Sequence, residues 1–552
     1  MTTTEPSPDL AQGAFTANGP WVVPADLPWR TAVPAERARI RRRLPDLVRP
    51  SRLPPLGRLV RVAGRLGPAV GLWAVGARRK GGTESRQDLA RRLRLAAEAL
   101  GPTYIKLGQI IASGEGLFPA ELVNEMRRCR DQVPPEPFAM VRAAVEADLG
   151  KPLDEVFARF DRRPLAAASI AQVHVAALHP LEPGGEPIEV VVKVQRPRIA
   201  ELVEADLKVM AWLAPHFVGR IPVAALANPP ALVELFGETI TEELDFRLEA
   251  DNMLDVARVF VQLGNDAYVV PRPHPTLVTR RVLVMERLAG FAFEDVVGMQ
   301  AADIDTKAVV RSGMIGFLEG AMLHGIFHGD LHAGNLFVLP DGRTALLDFG
   351  ITGRMGEERR QAFLRLLVSA TMNDVRGQLA AIRDLGALPP DVDLDAVIVD
   401  LGLDRPVVDP TTLTPEQLTA EIQQTLKGLL GYGAKMPKEL MLFVKNMVFL
   451  DGAIATLAPD LDLFAEIAHI ATYFATRHGS QISAEVGVDE SSWNLDMGGV
   501  RAMYGVDEAT DALTHRELQQ RREVIATRLA ARERPSLRTQ ITKKVKERRT
   551  GR

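Results

Sequence analysis

The sequence predicts an α+β fold of two lobes, one containing the main strands and the other mostly helical. Three observations lead to this class. Two β-rich segments, AAASIAQVHVAAL and EVVVKV, precede the helical half. An apolar strand, VLVMERL, lies between the halves at residues 282–288, and helical periodicity dominates residues 356–476. Strands first and helices afterwards is the order typical of α+β proteins.

Composition and periodicity divide the chain into five predicted segments. Gly/Pro turns separate the strands: LEPGGEP joins the first two, and Pro340-Asp341-Gly342 joins a later hairpin. The predicted segments are a basic extension at 1–80, loosely ordered to about residue 55, a helical region at 81–160, a strand-containing lobe with a helical insertion at 161–290, a helical lobe at 291–475, and a polar basic tail at 476–552.

The bulk composition is that of a globular protein with ample material for a core, because 46% of the 552 residues are hydrophobic and 25% are charged. The single cysteine, Cys129, cannot form an internal disulfide, which fits a reducing compartment. The N-terminus has no signal-peptide pattern. The most apolar stretch, residues 441–459, contains Lys445 and Asp451 and is expected to be a core helix. We therefore expect a cytoplasmic protein that does not span a membrane.

The strongest chemical signal is His328-Gly-Asp330-Leu-His-Ala-Gly-Asn335, followed 13 residues after Asn335 by Asp348-Phe-Gly. Phosphoryl transfer needs a carboxylate beside the acceptor hydroxyl and metal-binding side chains at the phosphates. The first motif fits the spacing H-x-D-L-x-x-x-N, with Asp330 as catalytic base and Asn335 on a metal ion. A hairpin can bring Asp348 against Asn335, and Mg²⁺ accepts such sparse oxygen ligation because nucleotide phosphates complete its shell. A zinc site at His328 and His332 is disfavoured, because H-E-x-x-H requires a Glu after the first His.

Lys193, in the strand EVVVKV, is predicted to neutralise the α- and β-phosphates of ATP and to need an acidic partner. The segment TEELDFRLEADN offers Glu243, Asp245 and Glu249 as that partner. The adenine-facing hinge is expected in VLVMERL, through backbone groups near Met285 and Glu286.

Two parts of an ordinary protein kinase are missing. Ala166, Ala167, Ala168 and Ser169 stand where a glycine-rich phosphate-covering loop is expected, and alanine narrows the backbone choices that glycine allows. We therefore expect this loop to bind nucleotide in a different way. No Ala-Pro-Glu segment follows Asp348-Phe-Gly, and a helical pattern resumes at GEERRQAFLRLL. This leaves no room for a peptide-docking platform, so no protein substrate is expected.

From about residue 98 to 460 the chain resembles the UbiB/AarF atypical kinases. Lys106-Leu-Gly-Gln109 matches the KxGQ signature of that family, AAASIAQVH its Ala-rich loop, and Glu243-Leu-Asp245 its ExD motif. The resemblance implies a protein-kinase-like fold in which the KxGQ extension covers the cleft. It also implies that Lys106 and Gln109 reach the nucleotide region near Glu243, and that Glu249 pairs with the strand lysine. Family members bind ATP with Mg²⁺, act as ATPases or small-molecule kinases, and support isoprenoid-quinone or lipid metabolism at membranes.

The chain departs from the family pattern at two places. Residues 112–119 read ASGEGLFP where the family usually has a segment like STRxDLLP, which puts the usual gating network in doubt. The apolar C-terminal segments of bacterial members are replaced by the basic tail. ATP or ADP is the expected ligand, a lipid or quinone precursor is a candidate partner, and the acceptor of the phosphoryl group is left open.

The net charge of −3 conceals two basic ends, +12 over residues 30–80 and +9 over 516–552, around an acidic body. The N-terminal end is predicted to form an amphipathic helix that lies on an anionic membrane surface, so that the protein is peripheral at the inner face of the membrane. In that helix Pro68 is an interruption and Trp73 an interface residue. The alternative is that the apolar side chains pack on the protein. Nucleic-acid binding is not expected, since stacking aromatics are lacking. The predicted basic face contains Arg58, Arg61 and Arg65, and the apolar face Leu59, Val62 and Leu66.

Two other functional classes compete with this interpretation. Aminoglycoside- or choline-type kinases also use H-G-D-x-x-x-x-N, but KxGQ and the Ala-rich loop argue against them. A pseudokinase scaffold would bind nucleotide without turnover. Retention of Lys193, Asp330, Asn335 and Asp348 argues against that class.

Overall fold

The computed structural model describes residues 27–533, with gaps at 52, 77–81, 113–117, 130–132, 181–182, 218–228, 405–427, 429–430, 435–436, 488–494, 505 and 507–509. The chain divides into two compact units. The first consists of Met1–Ile304, Ile326–Gly353 and Leu442–Met447, and the second of Asp305–Gly325, Arg354–Met441 and Val448–Arg552. Mixed sheets surrounded by many helices confirm the predicted α+β class.

The first unit begins with a layer of helices. Val33 and Ile40 of the first helix pack with Leu248, so this stretch is folded although residues up to about 55 were expected to be loosely ordered. The second helix passes through Pro68, which was expected to interrupt it. A proline inside a helix removes a backbone hydrogen bond and destabilises it. Burial of the inner side chains Val62 and Trp73 offsets this loss. These helices are α1 (Val33–Val48), α2 (Leu56–Val75), α3 (Gly82–Leu100), α4 (Pro102–Ala112), α5 (Ala120–Met126), α6 (Phe138–Leu149) and α7 (Leu153–Val156).

The main sheet of the first unit is antiparallel. β-branched side chains dominate β4, and Val190, Val192 and Val194 point into a core that also contains Val282 and Val284 of β7. The strand order is β1-β3-β4-β7-β6, with β2 paired to β3. The strands are β1 (Phe157–Phe160), β2 (Ala166–Ala167), β3 (Ala171–Leu178), β4 (Ile188–Gln195), β5 (Tyr268–Val269), β6 (Pro273–Val278) and β7 (Val282–Glu286), of which β5 belongs to the next sheet.

Three helices are inserted between β4 and β5: α8 (Ile199–Phe217), α9 (Pro229–Glu242) and α10 (Phe246–Leu263). Asp245 caps α10 by accepting a hydrogen bond from the Arg247 N–H (3.1 Å). The helix ends at Gly264, which has the left-handed conformation that suits glycine. The cap fixes where α10 begins and therefore where its inward-facing side chains lie.

A second, smaller sheet follows in the order β5-β11-β10-β8, and β9 pairs with β12. The Pro340-Asp341-Gly342 turn joins β10 to β11 as predicted, with Leu336 opposite Leu346. The remaining elements of this region are β8 (Phe291–Ala292), α11 (Val296–Ala301), β9 (Ile326–His328), β10 (Leu336–Val338), β11 (Thr344–Leu346) and β12 (Thr352–Arg354).

The second unit is helical where the structure describes it. Buried Glu319 accepts hydrogen bonds from Tyr473 (2.7 Å), and its carboxylate also contacts His478 (2.9 Å). Part of the predicted tail is folded, because Leu513 and Leu518 are buried. The helices are α12 (Thr306–Glu319), α13 (Glu357–Thr371), α14 (Val375–Asp384), α15 (Leu394–Leu401), α16 (Lys438–Leu457), α17 (Leu463–Val486), α18 (Met497–Met503) and α19 (His515–Glu533), with a π-helical turn at Gly320–His324.

Helix α16 contributes to both units, since its residues Leu442–Met447 belong to the first. By length and composition alone it could cross a membrane, and 39% of its most apolar window is buried inside the protein. A core helix of a soluble protein passes the same test. Two polar side chains of α16 contact the HGDLHAGN segment, as described below, so this stretch of the helix packs inside the first unit.

Candidate active site

Strand β4 and helix α10 bring Lys193 and Glu249 together inside the first unit. The Lys193 ammonium donates hydrogen bonds to both carboxylate oxygens of Glu249, at 2.7 and 3.0 Å. A third group, the Asp348 carboxylate, lies 3.2 Å from the same nitrogen. The Lys193 and Glu249 side chains are only 9% and 4% exposed, so this is a buried ion pair. Of the three acids considered as the partner of Lys193, the structure selects Glu249.

The electrostatics of this pair favour a charged lysine. Burial alone would lower the pKa of Lys193, but the neighbouring carboxylates of Asp348 and Glu249 raise it above its usual value. Burial raises the pKa of Glu249 against the opposing charge of Lys193. The Lys193 ammonium lies between the carboxylates of Glu249 and Asp348. It could exchange one of these two contacts for a contact with a phosphate oxygen.

Asp348 has a backbone φ of 53°, in the left-handed region that non-glycine residues rarely adopt. Its carboxylate accepts a hydrogen bond from the Gly350 N–H (3.1 Å), and the Asn252 side chain holds the intervening Phe349 carbonyl (2.8 Å). Partial desolvation works to raise the pKa of Asp348, whose side chain is 47% exposed, but Lys193 and Lys106 outweigh it and lower this pKa to about 2. The carboxylate is therefore ionised at neutral pH, in a strained backbone conformation of the kind that clusters at functional sites.

His328 organises the backbone around Asp330 and Asp348. Its Nδ1 accepts a hydrogen bond from the Asp330 N–H (3.1 Å). Its Nε2 therefore carries the proton and donates to the carbonyls of Leu347 (3.0 Å) and Asp348 (2.9 Å). Burial lowers the pKa of His328, in keeping with a neutral ring. His332 uses its Nδ1 to accept from the Gly334 N–H, so both histidines of the motif have local structural partners.

Asn335 and Asp348 are the two predicted metal ligands. The Asn335 amide nitrogen donates to the Asp330 carbonyl (3.1 Å), so its side-chain oxygen is the atom that could bind a metal ion. The backbone N–H of Leu347 donates a hydrogen bond to the backbone carbonyl of Asn335 (2.8 Å). Because Leu347 precedes Asp348, this hydrogen bond holds the two predicted ligands on neighbouring strands of backbone. One amide oxygen and one ionised carboxylate form an oxygen donor set that fits Mg²⁺. In the described part of the chain no group of three His, Cys, Asp or Glu residues could bind a metal.

The KxGQ helix α4 places Lys106 beside this cluster. Its ammonium lies 2.7 Å from the Glu243 carboxylate, and the two side chains are 14% and 6% exposed. Burial alone would lower the pKa of Lys106, but Glu243, Asp330 and Asp348 raise it. Gln109 lies on the same helix and is partly exposed. The structure therefore has Lys106 next to Glu243, as the resemblance implied, and the approach of Lys106 and Gln109 to a nucleotide stays a prediction.

Asp245 has a different role from that of its neighbours in the ExD motif. Besides capping α10, it forms an ion pair with Arg247 at 2.6 Å. A carboxylate engaged by its own helix terminus in this way is a structural residue. The three acids of this segment therefore have three different partners, which are Lys106 for Glu243, Arg247 for Asp245 and Lys193 for Glu249.

The Ala-rich loop is held by hydrogen bonds within the protein. Ala166 and Ala167 form a short strand opposite Val173 and Gln172, and the Ala168 N–H donates to the Ala171 carbonyl (2.9 Å). Ser169 is buried, with 3% exposure. The sequence did not predict Arg196, whose side chain donates to the carbonyls of Ala168 (3.1 Å) and Pro134 (2.9 Å). The loop is therefore tied to the preceding segment rather than left free to fold onto phosphate.

Met285 and Glu286 lie at the end of β7, where the hinge was predicted. The Glu286 N–H, however, donates to the Arg272 carbonyl (2.9 Å), and the Glu286 carboxylate accepts from the Arg272 N–H (3.2 Å). This N–H is therefore not available to an adenine ring. Recognition of adenine would fall to other backbone groups of the segment.

Two residues that the sequence did not predict as functional come from α16. The Lys445 ammonium contacts the Asp330 carboxylate. Burial works to raise the pKa of Asp330, but Lys445 and then Lys106 lower it well below its usual range. Next to Lys445, Asn446 donates to the His328 carbonyl and accepts from the Leu331 N–H (3.0 Å). Only Lys445 carried a signal in the sequence, as a charge inside an apolar helix, and it was used there together with Asp451 to predict a core helix.

The residues predicted to face a membrane are partly engaged inside the protein. Arg58 pairs with the fully buried Asp206 (2.6 Å) and donates to the Leu100 carbonyl (2.8 Å). Trp73 is buried, and its ring N–H donates to the Ser85 carbonyl (3.0 Å). Both were therefore wrong as interface residues, because each has a stronger partner in the protein. Residues 113–117, where the chain departs from the family pattern, and the tail beyond residue 533 lie outside the described residues.

The chain is similar to several known proteins. A family model, the ABC1 atypical kinase-like domain, matches residues 128–381. An uncharacterised chloroplastic aarF domain-containing protein kinase of Arabidopsis thaliana is 32% identical over 398 residues, which cover 68% of this chain and 73% of that protein. An uncharacterised protein of Mycobacterium tuberculosis is 34% identical over 430 residues, 75% of this chain and 81% of that protein. A probable protein kinase UbiB of Aeromonas salmonicida is 33% identical over 393 residues, 69% of this chain and 70% of that protein.

The α+β fold, the paired strand lysine and the two acidic motifs together define an atypical kinase-like protein. The extent of its similarity to these relatives identifies it further. The chain belongs to the UbiB/AarF family of atypical kinases.

Proposed function

We propose that this protein is an Mg²⁺-dependent ATPase or phosphotransferase acting on a small molecule or lipid, in support of isoprenoid-quinone or lipid metabolism. One observation above all supports it. The Lys193 ammonium lies between Glu249 and Asp348, as an ATP-binding lysine requires, and His328 ties the Asp330 loop to the backbone of Asp348. Positioning and charge are most of what phosphoryl transfer asks of a protein.

Each residue has a distinct part in this proposal. Lys193, oriented by Glu249, binds the α- and β-phosphates. Asp330 orients the attacking hydroxyl or water and receives its proton. Asn335 and Asp348 would bind Mg²⁺, which when present neutralises the charge that develops on the transferred phosphoryl group.

The acceptor is proposed to be small, because two features of the chain disfavour a peptide. Helix α13 begins at Glu357, seven residues after Gly350, which leaves only a short connection where protein kinases have an activation segment. In addition, the KxGQ helix brings Lys106 to the Glu243 carboxylate beside the cluster. These features also support ATP hydrolysis, in which water is the acceptor.

The test is ATP turnover by the purified full-length protein with Mg²⁺ and with excess chelator, in wild type and two variants. Asp330→Asn is expected to bind ATP normally and to lose turnover by a factor of ~10²–10⁴. Asp348→Asn is expected to lose Mg²⁺-dependent ATP binding, since a neutral side chain holds the metal poorly. Asp341→Asn, which changes a hairpin acid paired to Arg343, is the matched control and should retain both.

The outcomes separate the competing classes. Wild-type turnover in both variants would contradict the assigned roles. ATP binding without turnover, with or without candidate lipids and quinone precursors, would identify a pseudokinase scaffold. Phosphorylation of an aminoglycoside or choline would favour that class of kinase.

We also propose that the protein is cytoplasmic and associates peripherally with the inner face of a membrane. With Arg58 and Trp73 engaged internally, the supporting surface is the outward half of α2. It exposes four large apolar side chains, Leu56, Val60, Leu72 and Val75, together with Arg61 and Arg65. An apolar, basic helix face of this kind suits the boundary of an anionic bilayer.

A further inference from the structure

The segment that contains Asp330 has no lysine or arginine of its own. HGDLHAGN lacks both residue types, and the arginine of the hairpin that follows, Arg343, is paired with Asp341. Phosphoryl transfer needs positive charge where negative charge develops, on the oxygens of the transferred group. In the proposed reaction Lys193 binds the α- and β-phosphates. A cation for the γ-phosphate therefore has to come from another element.

Helix α16 provides a cation at Asp330. The Lys445 ammonium contacts the Asp330 carboxylate, and both residues belong to the first unit. The two side chains are 16% and 21% exposed, whereas those of the Lys193–Glu249 pair are 9% and 4% exposed. The Lys445–Asp330 contact is therefore open enough for a ligand to reach it.

Anchoring of the loop does not account for the charge of Lys445. The neighbouring Asn446 donates to the His328 carbonyl and accepts from the Leu331 N–H (3.0 Å). The Asp330 N–H donates to the His328 ring (3.1 Å). Uncharged side chains thus fix the backbone on both sides of Asp330. Lys445 contacts instead the carboxylate, which is the group assigned to the attacking hydroxyl or water.

The geometry of transfer brings the γ-phosphate close to Lys445. An orienting carboxylate lies about 2.6–3.2 Å from the attacking oxygen, and that oxygen lies about 3–3.5 Å from the phosphorus in a reactive complex. The phosphorus is therefore within roughly 7 Å of the Asp330 carboxylate. A lysine ammonium has several donors on a flexible chain, so one can stay on Asp330 while another reaches a γ-phosphate oxygen.

Lys106 is the competing cation in this region. Its ammonium lies 2.7 Å from the Glu243 carboxylate. Lys445 contacts Asp330 itself, which favours Lys445 for the phosphate nearest the acceptor.

We propose that Lys445 is a catalytic residue that bridges the Asp330 carboxylate and the γ-phosphate of ATP. It neutralises charge on the transferred phosphoryl group and holds that group in line with the attacking oxygen. Lys445 forms no covalent bond and keeps its protons. The proton of the attacking hydroxyl or water passes to Asp330, and the electron pair of the broken P–O bond leaves on ADP. This inference rests on the proposed function, because it requires ATP in the site.

The test compares the affinities of the full-length protein, with Mg²⁺, for ADP and for the non-hydrolysable analogue β,γ-imido-ATP. Lys445→Met should weaken the analogue at least about tenfold and ADP less than about twofold, since only the analogue has a γ-phosphate. Lys193→Met should weaken both by similar factors. Lys445→Arg keeps the charge and should recover much of the loss. Lys208→Met, at an exposed helical lysine of the first unit, is the matched control.

A double variant separates contact with phosphate from simple neutralisation of Asp330. Lys445→Met combined with Asp330→Asn should still bind the analogue at least about tenfold more weakly than Asp330→Asn alone. Recovery of the affinity in the double variant would show that Lys445 only offsets the charge of Asp330, and would overturn the proposal. Lys445→Gln, which keeps a donor for Asp330 without the charge, should show the same selective loss as Lys445→Met.

Turnover gives a second readout. Lys445→Met should lower kcat by a factor of ~10²–10³, as expected when one donor to a charged transition state is removed. Unchanged affinity for both nucleotides in Lys445→Met, or equal loss of both, would overturn the role of Lys445. Failure of the proposed function would look different, because the wild type would then bind neither nucleotide, and this inference would fall with it.

Discussion

At the scale of single residues, the site is a set of ion pairs in which each cation neutralises a specific carboxylate. Lys193 serves Glu249 and Asp348, Lys106 serves Glu243, and Lys445 serves Asp330. The buried members of this set, Lys193, Glu249 and Glu243, are tolerated only because they are paired. Binding of ATP and a metal ion would therefore replace some of these ammonium–carboxylate contacts with contacts to phosphate and metal. Without nucleotide, the existing ion pairs hold the side chains of the site in place.

Lys445 gives a prediction about the acid side of the pH profile. Because Lys445 holds the pKa of Asp330 low, Lys445→Met should let burial raise that pKa, so that Asp330 protonates at a higher pH. The acidic limb of the kcat/KM profile for ATP turnover should move up by about 1 to 3 pH units. Lys445→Arg should largely preserve the limb, and Lys307→Met, at an exposed helical lysine, should not move it. An unchanged limb in Lys445→Met would show that Lys445 is only structural.

At the scale of elements, the sequence predicted what lies in contiguous motifs. Short sequence patterns predicted the roles of three parts of the site: HGDLHAGN, Asp348-Phe-Gly and Lys193. The structure brings them together. Partners that depend on tertiary packing were missed. Arg196 and Asn446 contact backbone atoms, which leave no sequence signature, and Trp73 looks like an interface residue until Ser85 is placed beside it. Pro68 was misjudged because packing overrides local preference.

Strand β6 provides a prediction about stability. His274 is buried, and its Nδ1 accepts hydrogen bonds from the N–H groups of Thr276 and Leu277, both at 3.1 Å. Burial lowers its pKa to about 4, below the usual value of about 6.5. The unfolded chain therefore binds this proton first, and stability is lost as the pH falls from about 6.5 towards 4.

His274→Asn keeps an acceptor near the Nδ1 position and removes the titration. Between pH 7 and pH 5 the wild type should lose about 2 kcal/mol more free energy of unfolding than this variant. Denaturant titrations at the two pH values measure the difference. His179→Asn, at an exposed histidine, should behave as the wild type. If His274→Asn and wild type respond equally to pH, then His274 is not buried as described.

At the scale of the whole molecule, helix α2 has one side buried in the protein and the other side exposed on the surface. Its inner side, with Val62 and Trp73, is buried, and Arg58 reaches the buried Asp206. Deleting the N-terminal 80 residues would therefore expose the core as well as remove the surface. Membrane binding has to be tested with substitutions on the outer side alone.

The prediction is that the full-length protein co-sediments with anionic liposomes more than with neutral ones, and less as salt increases. Each arginine near the bilayer contributes about 1 kcal/mol. Val60→Ser with Leu72→Ser should weaken binding, because these side chains are 71% and 61% exposed. Leu165→Ser with Val297→Ser, 65% and 78% exposed elsewhere, is the matched control. Equal sedimentation of both double variants with wild type would rule out α2 as the contact.

The Lys445–Asp330 contact also matters during synthesis of the chain. The two residues are 115 positions apart, and Lys445 belongs to a six-residue stretch that completes the first unit. At about 5–20 residues per second, the ribosome needs roughly 6 to 23 seconds to make the chain between them. During that interval a nascent chain can already contain every recognisable kinase motif, while neither Lys445 nor Asn446 yet exists to hold the Asp330 loop. The proposed ATP site would therefore be completed late, after about four fifths of the 552 residues have been made.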